Sequence, residues 1–167
     1  MKPGIKQYFI YCPYCRTALQ EKNIEGKNRL SCDACGFVYW NNPKPAVSVI
    51  LSKNQDILLL QRSQEPFPGY WVLPGGYIEE DEEPAEAIIR ETKEETGLDI
   101  VIEGVVQIYL VREDPRGSSI DIVYRGKILG GMLETTEHSQ YRFFPRENLP
   151  EMIAYKHREA IEESYLL

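Results

Sequence analysis

Long hydrophobic runs are absent from this sequence of 167 residues. The longest run of aliphatic side chains, Ile57 to Leu60, has four residues, whereas a membrane-spanning helix needs roughly twenty apolar residues. The amino terminus, residues 1 to 7, also lacks the apolar stretch and the small-residue cleavage site of a secretory signal peptide. We therefore expect a cytoplasmic protein with no membrane segment.

Positive charge is also in short supply, because 19 Lys and Arg residues face 26 Asp and Glu residues and leave a net charge of −7. Such an acidic chain is repelled by nucleic-acid phosphates, so we expect no nucleic-acid partner. Residues 1–45 hold seven basic and three acidic residues (+4), and the remainder holds 12 and 23 (−11). The change falls at a Pro- and Asn-rich segment, residues 41–45, which is typical of a linker. We predict a small module over residues 1–41 and a larger domain over residues 42–167.

Cysteine is scarce, but its four copies follow a pattern. Cys12 and Cys15 form one C-x2-C pair, and Cys32 and Cys35 form a second pair after 16 intervening residues. Two such turns supply the four thiolates that tetrahedral Zn²⁺ prefers, at a separation typical of zinc ribbons. Rubredoxin-like iron, a redox-active pair and two disulfides are the alternatives, of which a reducing compartment disfavours the disulfides. We predict a structural zinc site, because about 40 residues bury too small a core to fold without metal.

The larger domain alternates strand-like and helix-like segments. The β-rich runs at 45–51 and 57–61 flank a polar turn and predict a hairpin. A loop rich in Pro and Gly follows over residues 66–76, before a helix predicted for residues 84–96. Three further strands and a last helix are predicted at 100–112, 120–129, 141–145 and 152–166.

The helix predicted over residues 84–96 is rich in glutamate. Pro84 suits its first turn, and Gly97 suits its end. At about 100° per residue, one face is expected to meet the core. That face consists of Ala85, Ile88, Ile89, Thr92 and Thr96. Glu91, Glu94 and Glu95 form a patch beside it, and their hard oxygen ligands suit Mg²⁺ or Mn²⁺; a solvated acidic face is the alternative.

The residues around this helix have a spacing that can be compared with known families. Gly76 is followed after five residues by Glu82 and after seven more by Arg90-Glu91-Thr92-Lys93-Glu94-Glu95-Thr96-Gly97-Leu98. This pattern resembles the box of the Nudix hydrolase family, G-x5-E-x7-R-E-U-x-E-E-x-G-U. Thr92 stands where a bulky aliphatic residue is usual. With the cysteine pairs in front, the arrangement is similar to the branch that contains NADH pyrophosphatases and ADP-ribose pyrophosphatases.

The resemblance implies an α/β fold, in which a mixed sheet is sandwiched between helices as a Nudix α/β/α domain behind the zinc ribbon. It also implies a pyrophosphohydrolase, in which water attacks a nucleoside diphosphate linked to another group. The ligands of Mg²⁺ or Mn²⁺ would be Glu91, Glu94 and Glu95, with the backbone carbonyl of Gly76.

Further roles are carried over from the same resemblance. One of the three glutamates would activate the attacking water, with Glu94 as the first choice and Glu91 as a second catalytic candidate. The loop residues Glu137 and Glu134 are alternative bases, of which Glu137 is preferred. Glu82 and Arg90 would pair to brace the loop on the helix. The candidate substrate contacts are Arg62, Gly75 and Gly76, and a plain surface arginine is the alternative reading of Arg62. We expect the two histidines, His138 and His157, to be surface residues.

ADP-ribose or a related nucleotide sugar is the substrate that the sequence favours. The signature that NADH pyrophosphatases carry after the box is absent from residues 107–119, whereas Pro115 lies where ADP-ribose-type enzymes often have proline. NADH is retained as a second substrate. The competing class is an RNA-binding protein that recruits RNA through its zinc ribbon and uses the Nudix fold as a scaffold or decapping unit. A homodimer is compatible with the sequence.

Overall fold

The computed structural model describes residues 9–135 and 137–165, which form two sheets. The first sheet has three short antiparallel strands, β1 (Gln20–Ile24), β2 (Lys27–Ser31) and β3 (Val38–Tyr39). Its buried core consists of Cys12, Leu19 and Cys32, with Leu30 and Phe37 partly buried against them. Because this core contains so few apolar side chains, packing alone supplies little stability to the first sheet.

The second sheet has seven strands. They are β4 (Lys44–Lys53), β5 (Asp56–Arg62), β6 (Trp71–Val72), β7 (Gly75–Tyr77), β8 (Leu98–Val111), β9 (Ser119–Gly131) and β10 (His138–Phe144). The main order is β10-β5-β4-β9-β8, while β6 pairs with β5 and β7 pairs with β4. Strands β4 and β9 run parallel and the other pairs run antiparallel. The mixed sheet and the β4–β5 hairpin are therefore as predicted.

Two α-helices accompany this sheet, α1 (Pro84–Thr96) and α2 (His157–Glu163), with a short 3₁₀ helix at Arg146–Asn148. The bounds of α1 are those predicted from Pro84 and Gly97. The second helix is shorter than the predicted 152–166, whose last residue lies outside the described part of the chain. It begins later because the backbone of Met152 and Ala154 hydrogen-bonds to Trp71, which holds that segment extended. No helix among the described residues is long and apolar enough to span a membrane.

The two helices lie on opposite faces of the sheet and give three layers. Alternate residues of β4 point to opposite faces, so Val47, Val49 and Leu51 pack with Ile88 of α1. On the other face, Ile50 and Leu59 pack with Ala160 and Ile161 of α2. Because the central strands are covered on both faces, the run Ile57–Leu60 is continuously apolar rather than alternating.

The buried face of α1 is rotated from the one predicted by helical periodicity. The buried residues are Ala87, Ile88, Thr92, Glu95 and Thr96. Ile89, which was expected in the core, is 44% exposed, and Ala85 is exposed as well. The rotation arises because β7 contacts the side of α1 that carries Glu91 and Glu95, and periodicity within one helix carries no information about that strand.

Candidate functional site

The double-glycine loop lies directly against α1. The backbone N–H of Gly75 donates to Glu95 Oε2 at 2.8 Å. A Cβ on Gly75, whose φ is +150°, would lie 2.1 Å from the backbone oxygen of Val47, and a Cβ on Gly76 would lie 2.4 Å from Cδ of Glu91. Gly75 therefore requires glycine, because its neighbours are backbone atoms of β4 and its φ is positive. A side chain at Gly76 would displace the Glu91 carboxylate from its place beside the loop.

The three predicted metal ligands differ in exposure. The side chain of Glu95 is 10% exposed and that of Glu91 is 17% exposed, whereas that of Glu94 is 53% exposed. Burial raises the pKa of Glu95 to about 8, the Gly75 N–H opposes this, and the carboxylates of Glu91 and Glu137 add to it. Burial also raises the pKa of Glu91. Negative charge is therefore costly at the inner two positions, and a cation beside them would relieve that cost.

The donor set suits a hard divalent cation through its chemistry. Carboxylate oxygens and a backbone carbonyl are the ligands that Mg²⁺ accepts, and Glu91 already lies against the backbone of Gly76. Among the described residues, only the four cysteines bring three or more ligand atoms within 4.8 Å of one another. Glu94 instead contacts Arg90, with its Oε2 3.0 Å from Nη1. Joint coordination by the three glutamates therefore stays a prediction.

Arg90 joins the loop to the helix, as the family resemblance implied. Its Nε and Nη2 donate to the two carboxylate oxygens of Glu82 at 3.0 and 2.6 Å, and Nη2 also donates to the carbonyl of Tyr77 at 3.2 Å. Its Nη1 donates to Glu91 Oε1 at 3.0 Å. This fork-shaped pairing is the geometry in which arginine binds carboxylates most strongly, and it orients Glu91 at the same time.

A cavity of about 100 Å³ opens beside α1 and is lined by several predicted site residues. These are Arg62, Gly75, Gly76 and Glu95. Sequence reasoning did not single out the rest of the polar lining, which includes Ser48, Asp114, Arg116, Asp121, His138 and His157, nor the aromatic Tyr77 and Tyr155. The structure thus places the candidate substrate contacts and one candidate metal ligand around a common space.

A second cavity, of about 170 Å³, adjoins the first and shares Arg62, Glu95 and His138 with it. Glu137 lines this second cavity, and its backbone carbonyl accepts a hydrogen bond from Ser63 Oγ at 2.6 Å. The fold therefore brings Glu137 close to Glu95, although they are far apart in sequence. The catalytic role of Glu137 stays a prediction.

The prediction that both histidines are surface residues is wrong. His157 is 4% exposed, and its Nδ1 accepts a hydrogen bond from the N–H of Leu73 at 2.9 Å. The side chain of His138 is 8% exposed, and its Nε2 lies 3.6 Å from Glu95 Oε1. Burial lowers the pKa of His138 to about 4, so its ring is neutral at pH 7. Neither position has a local sequence signal, because each is covered by elements distant in the chain.

Ser48 and Asp121 did carry a signal that sequence reasoning passed over. Each interrupts a predicted strand of apolar residues, and each is almost fully buried, at 4% and 3% exposure. Polar side chains are rarely buried without a partner or a function. A polar residue within an apolar strand run therefore predicts a buried hydrogen-bond partner or a ligand at that position.

The four cysteines meet as the C-x2-C spacing predicted. Their Sγ atoms are separated by 3.5 Å (Cys12 and Cys35), 3.3 Å (Cys15 and Cys32) and 3.6 Å (Cys15 and Cys35). These separations exceed a disulfide bond of about 2.05 Å and are close to the roughly 3.8 Å between ligands of tetrahedral Zn²⁺ with bonds of about 2.3 Å. Hydrogen bonds to the side chain and backbone of Thr17 lower the pKa of Cys15 to about 6, which favours the thiolate that binds metal.

Comparisons with known proteins agree with these features. The family model described as NUDIX domain matches residues 42–164. An ADP-ribose pyrophosphatase of Methanocaldococcus jannaschii is 38% identical over 124 residues, which is 73% of each chain. A NAD-capped RNA hydrolase, NudC of Stutzerimonas stutzeri, is 27% identical over 86% of this chain but only 51% of its own length. A NUDIX hydrolase structure from Nitrosomonas europaea superposes with a TM-score of 0.77 at 27% identity, over 93% of this chain and 92% of that one.

Proposed function

This chain belongs to the NUDIX hydrolase family, and we propose that it uses a divalent cation to hydrolyse the diphosphate of ADP-ribose or a related nucleotide sugar. The observation that carries the proposal is the cavity in which Arg62 and the double-glycine loop face Glu95. A space bounded by a cation, backbone groups and a metal-type carboxylate suits a diphosphate. The 38% identical relative named ADP-ribose pyrophosphatase supports the choice of substrate.

Glu91, Glu94 and Glu95 would hold the Mg²⁺ or Mn²⁺, with the carbonyl of Gly76. When bound, the cation supplies neutralisation of the charge that develops on the diphosphate as water attacks phosphorus. Arg62 lines both cavities beside Glu95, and its guanidinium would bind a phosphate oxygen. Arg90 keeps Glu91 and Glu94 oriented through its hydrogen bonds at 3.0 Å.

A carboxylate must accept the proton of the attacking water. The candidates for this base that we compare are Glu94 and Glu137. We retain Glu94 as the first choice, because it is in the box, is largely exposed and is positioned by Arg90. Glu137 is the alternative, because it lines the adjoining cavity with Arg62 and Glu95. Comparison of Glu94→Gln with Glu137→Gln at saturating Mg²⁺ separates them, since loss of the base lowers kcat and removes its ionisation from the pH profile of kcat.

The first sheet would serve as a structural Zn²⁺ module bounded near residue 41. The packing of its four Sγ atoms supports this assignment, because a closed set of four thiolates leaves no position for a reacting ligand. The cytoplasmic location, the lack of a nucleic-acid partner and the homodimer stay predictions.

Hydrolysis of NAD-capped RNA is a second candidate function. The observation in its favour is the similarity to NudC over 86% of this chain. Residues 42–167 are 126 of the 167 residues, about three quarters, so the similarity extends into the cysteine module. In this case the chain would bind an RNA 5′ end instead of a free nucleotide sugar and would act as an RNA-decapping unit.

A substrate panel tests both candidates. The purified chain is incubated with ADP-ribose, NADH and NAD-capped RNA, with Mg²⁺ and with EDTA, and the products are separated by chromatography. We expect ADP-ribose to give AMP and ribose 5-phosphate with Mg²⁺ but not with EDTA. Its kcat/KM should be the highest of the three substrates. A higher kcat/KM for NAD-capped RNA would favour the second function, and no Mg²⁺-dependent hydrolysis of any of them would overturn the proposal.

A further inference from the structure

A buried polar network forms one wall of the first cavity, the one of about 100 Å³. Ser48 Oγ lies 3.0 Å from both carboxylate oxygens of Asp121, and His157 Nε2 lies 3.3 Å from Asp121 Oδ2 and 3.2 Å from Ser48 Oγ. All three residues line the cavity and are at most 4% exposed. They come from β4, β9 and α2, so the network joins three elements of the fold.

Both carboxylate oxygens of Asp121 have a hydrogen-bond partner, but the carboxylate can accept more hydrogen bonds than these partners donate. His157 Nδ1 accepts the N–H of Leu73, so the ring proton is on Nε2 and no second proton gives the ring a positive charge. Within residues 9–135 and 137–165, no Lys or Arg nitrogen lies within ion-pair distance of Asp121. A carboxylate has about four acceptor positions, and Ser48 and His157 can fill at most about two of them. Open acceptor capacity on a buried charge is costly unless a ligand supplies donors.

The network does not have the geometry of a nucleophilic site. In a Ser-His-acid arrangement the acid accepts from the far nitrogen of the histidine, but here that nitrogen faces the backbone of Leu73. The hydroxyl of Ser48 has the Asp121 carboxylate as its nearest acceptor, so it is not poised to attack. Ser48 and His157 therefore orient Asp121, and Asp121 is the group available to a ligand.

Asp121 and the glutamates of α1 are close enough for one nucleotide to contact both. Gly75 donates to Glu95 and is paired with Ser48 across β7 and β4, while Asp121 lies on the next strand, β9. Asp121 is opposite Ala46, two residues along β4 from Ser48, so two strand spacings and this offset place Asp121 roughly 12 Å from Gly75. A nucleotide whose diphosphate lies at Glu95 can reach that far with its uncharged part, a sugar or a base.

We propose that Asp121 is a specificity-determining residue, which accepts hydrogen bonds from the uncharged part of a nucleotide substrate. This inference rests on the proposed function. The shared chemistry is a neutral O–H or N–H donor, supplied either by the hydroxyls of a ribose or by the exocyclic amine of adenine. A substrate without that donor leaves the open acceptor position of the buried carboxylate unfilled and is rejected for that reason.

The test compares the full-length wild-type chain with Asp121→Asn, which keeps the side-chain volume and one carbonyl acceptor but removes the charge. The substrates are ADP-ribose and analogues that lack the amine (hypoxanthine base), the 2′-hydroxyl of the adenosine, or the hydroxyls of the terminal ribose. We expect the wild type to reject one analogue by about tenfold to a hundredfold in KM, the range for a hydrogen bond to a charged group. Asp121→Asn should raise KM for ADP-ribose by a similar factor, leave kcat nearly unchanged and lose the discrimination.

Asp99→Asn is the matched control, because it makes the same chemical change at a side chain of β8 that is 57% exposed. Ser48→Ala removes a hydrogen bond to Asp121 but keeps the charge of Asp121, so it should weaken the discrimination between analogues. This variant replaces Asp121→Asn in the test if Asp121→Asn does not fold.

Calorimetric binding of ADP-ribose in EDTA gives a second readout that needs no hydrolysis. A wild type without activity but with Asp121-dependent binding would overturn the proposed function alone. Equal effects of Asp121→Asn on every analogue, or unchanged KM and affinity, would overturn the inference.

Discussion

At the scale of single residues, Glu95 shows how position within one helix separates chemically identical side chains. Glu95 is buried, accepts a hydrogen bond from the N–H of Gly75 and lines the first cavity. Glu86, two and a half turns earlier, is exposed, and its Oε2 accepts the N–H of Glu83 in a capping box. The first is a candidate metal ligand, and the second stabilises the start of α1.

Replacement of these two glutamates by glutamine separates charge from shape. Glu95→Gln should lower Mg²⁺-dependent turnover by more than about 100-fold, roughly 2.7 kcal/mol of transition-state stabilisation, because an anionic ligand of the cation is lost. Mg²⁺ affinity should fall with it. Steady-state kinetics over a Mg²⁺ titration measure both quantities.

Glu86→Gln is the control for this prediction. Glutamine also completes a capping box, so the variant should fold and turn over like the wild type. Equal turnover in Glu95→Gln and Glu86→Gln would contradict the assignment of Glu95 to a metal site.

At the scale of elements, the loop before α1 is tied to the helix by Glu82 and Arg90. The Arg90 guanidinium holds the pKa of Glu82 near 2, against an ordinary value of 4.5, with help from the N–H of Glu79. The same guanidinium contacts Glu91 and Glu94. The pair thus links the shape of the loop to the placement of two candidate metal ligands.

This ion pair predicts a particular acid dependence. Because the pKa of Glu82 is lowered by folding, its stabilisation is fully present above pH 4.5 and is lost as the pH falls towards 2. The free energy of unfolding is measured by urea titration between pH 7 and pH 2.5 for the wild type and Glu82→Gln. The wild type should be more stable at neutral pH, and the difference should shrink below about pH 4.5. A difference that is independent of pH would show that the pair does not stabilise the fold through charge.

At the scale of the whole molecule, the two sheets differ in what stabilises them. The seven-stranded sheet has a buried core on each face, and among the described residues neither core contains one before Val47. The three-stranded sheet has a core of three buried residues, of which Cys12 and Cys32 are two. We therefore expect the stability of the first sheet to depend on the cysteine cluster and that of the second sheet to be independent of it.

Loss of one cysteine should affect the two parts differently. Cys32→Ser should release about one Zn²⁺ per chain and unfold the first sheet, with 10 kcal/mol or more of apparent metal-binding energy at stake. The family domain should stay folded and keep at least part of its activity. Elemental analysis, limited proteolysis and the hydrolysis assay check these outcomes. A wild type without bound zinc or iron, or with disulfides after reducing purification, would contradict the zinc assignment.

Features that depend on neighbouring residues could be predicted from the sequence alone. The bounds of α1 follow from Pro84, Gly97 and helical periodicity, and the β4–β5 hairpin follows from two apolar runs around a polar turn. The C-x2-C spacing predicted a cluster of four cysteines, and the spacing from Gly76 to Leu98 predicted the family. Each of these signals lies within a short segment, where local geometry decides the outcome.

Only the tertiary structure decided which polar side chains share the cavity. Asp121 is 73 residues from Ser48, and His157 is 109 residues from Ser48, so no local pattern could pair them. The buried face of α1 and the burial of His138 were decided in the same way, by β7 and by the position of β10 beside β5. Local sequence sets the period and the ends of an element, but the energy of a buried polar group depends on partners that folding brings from elsewhere.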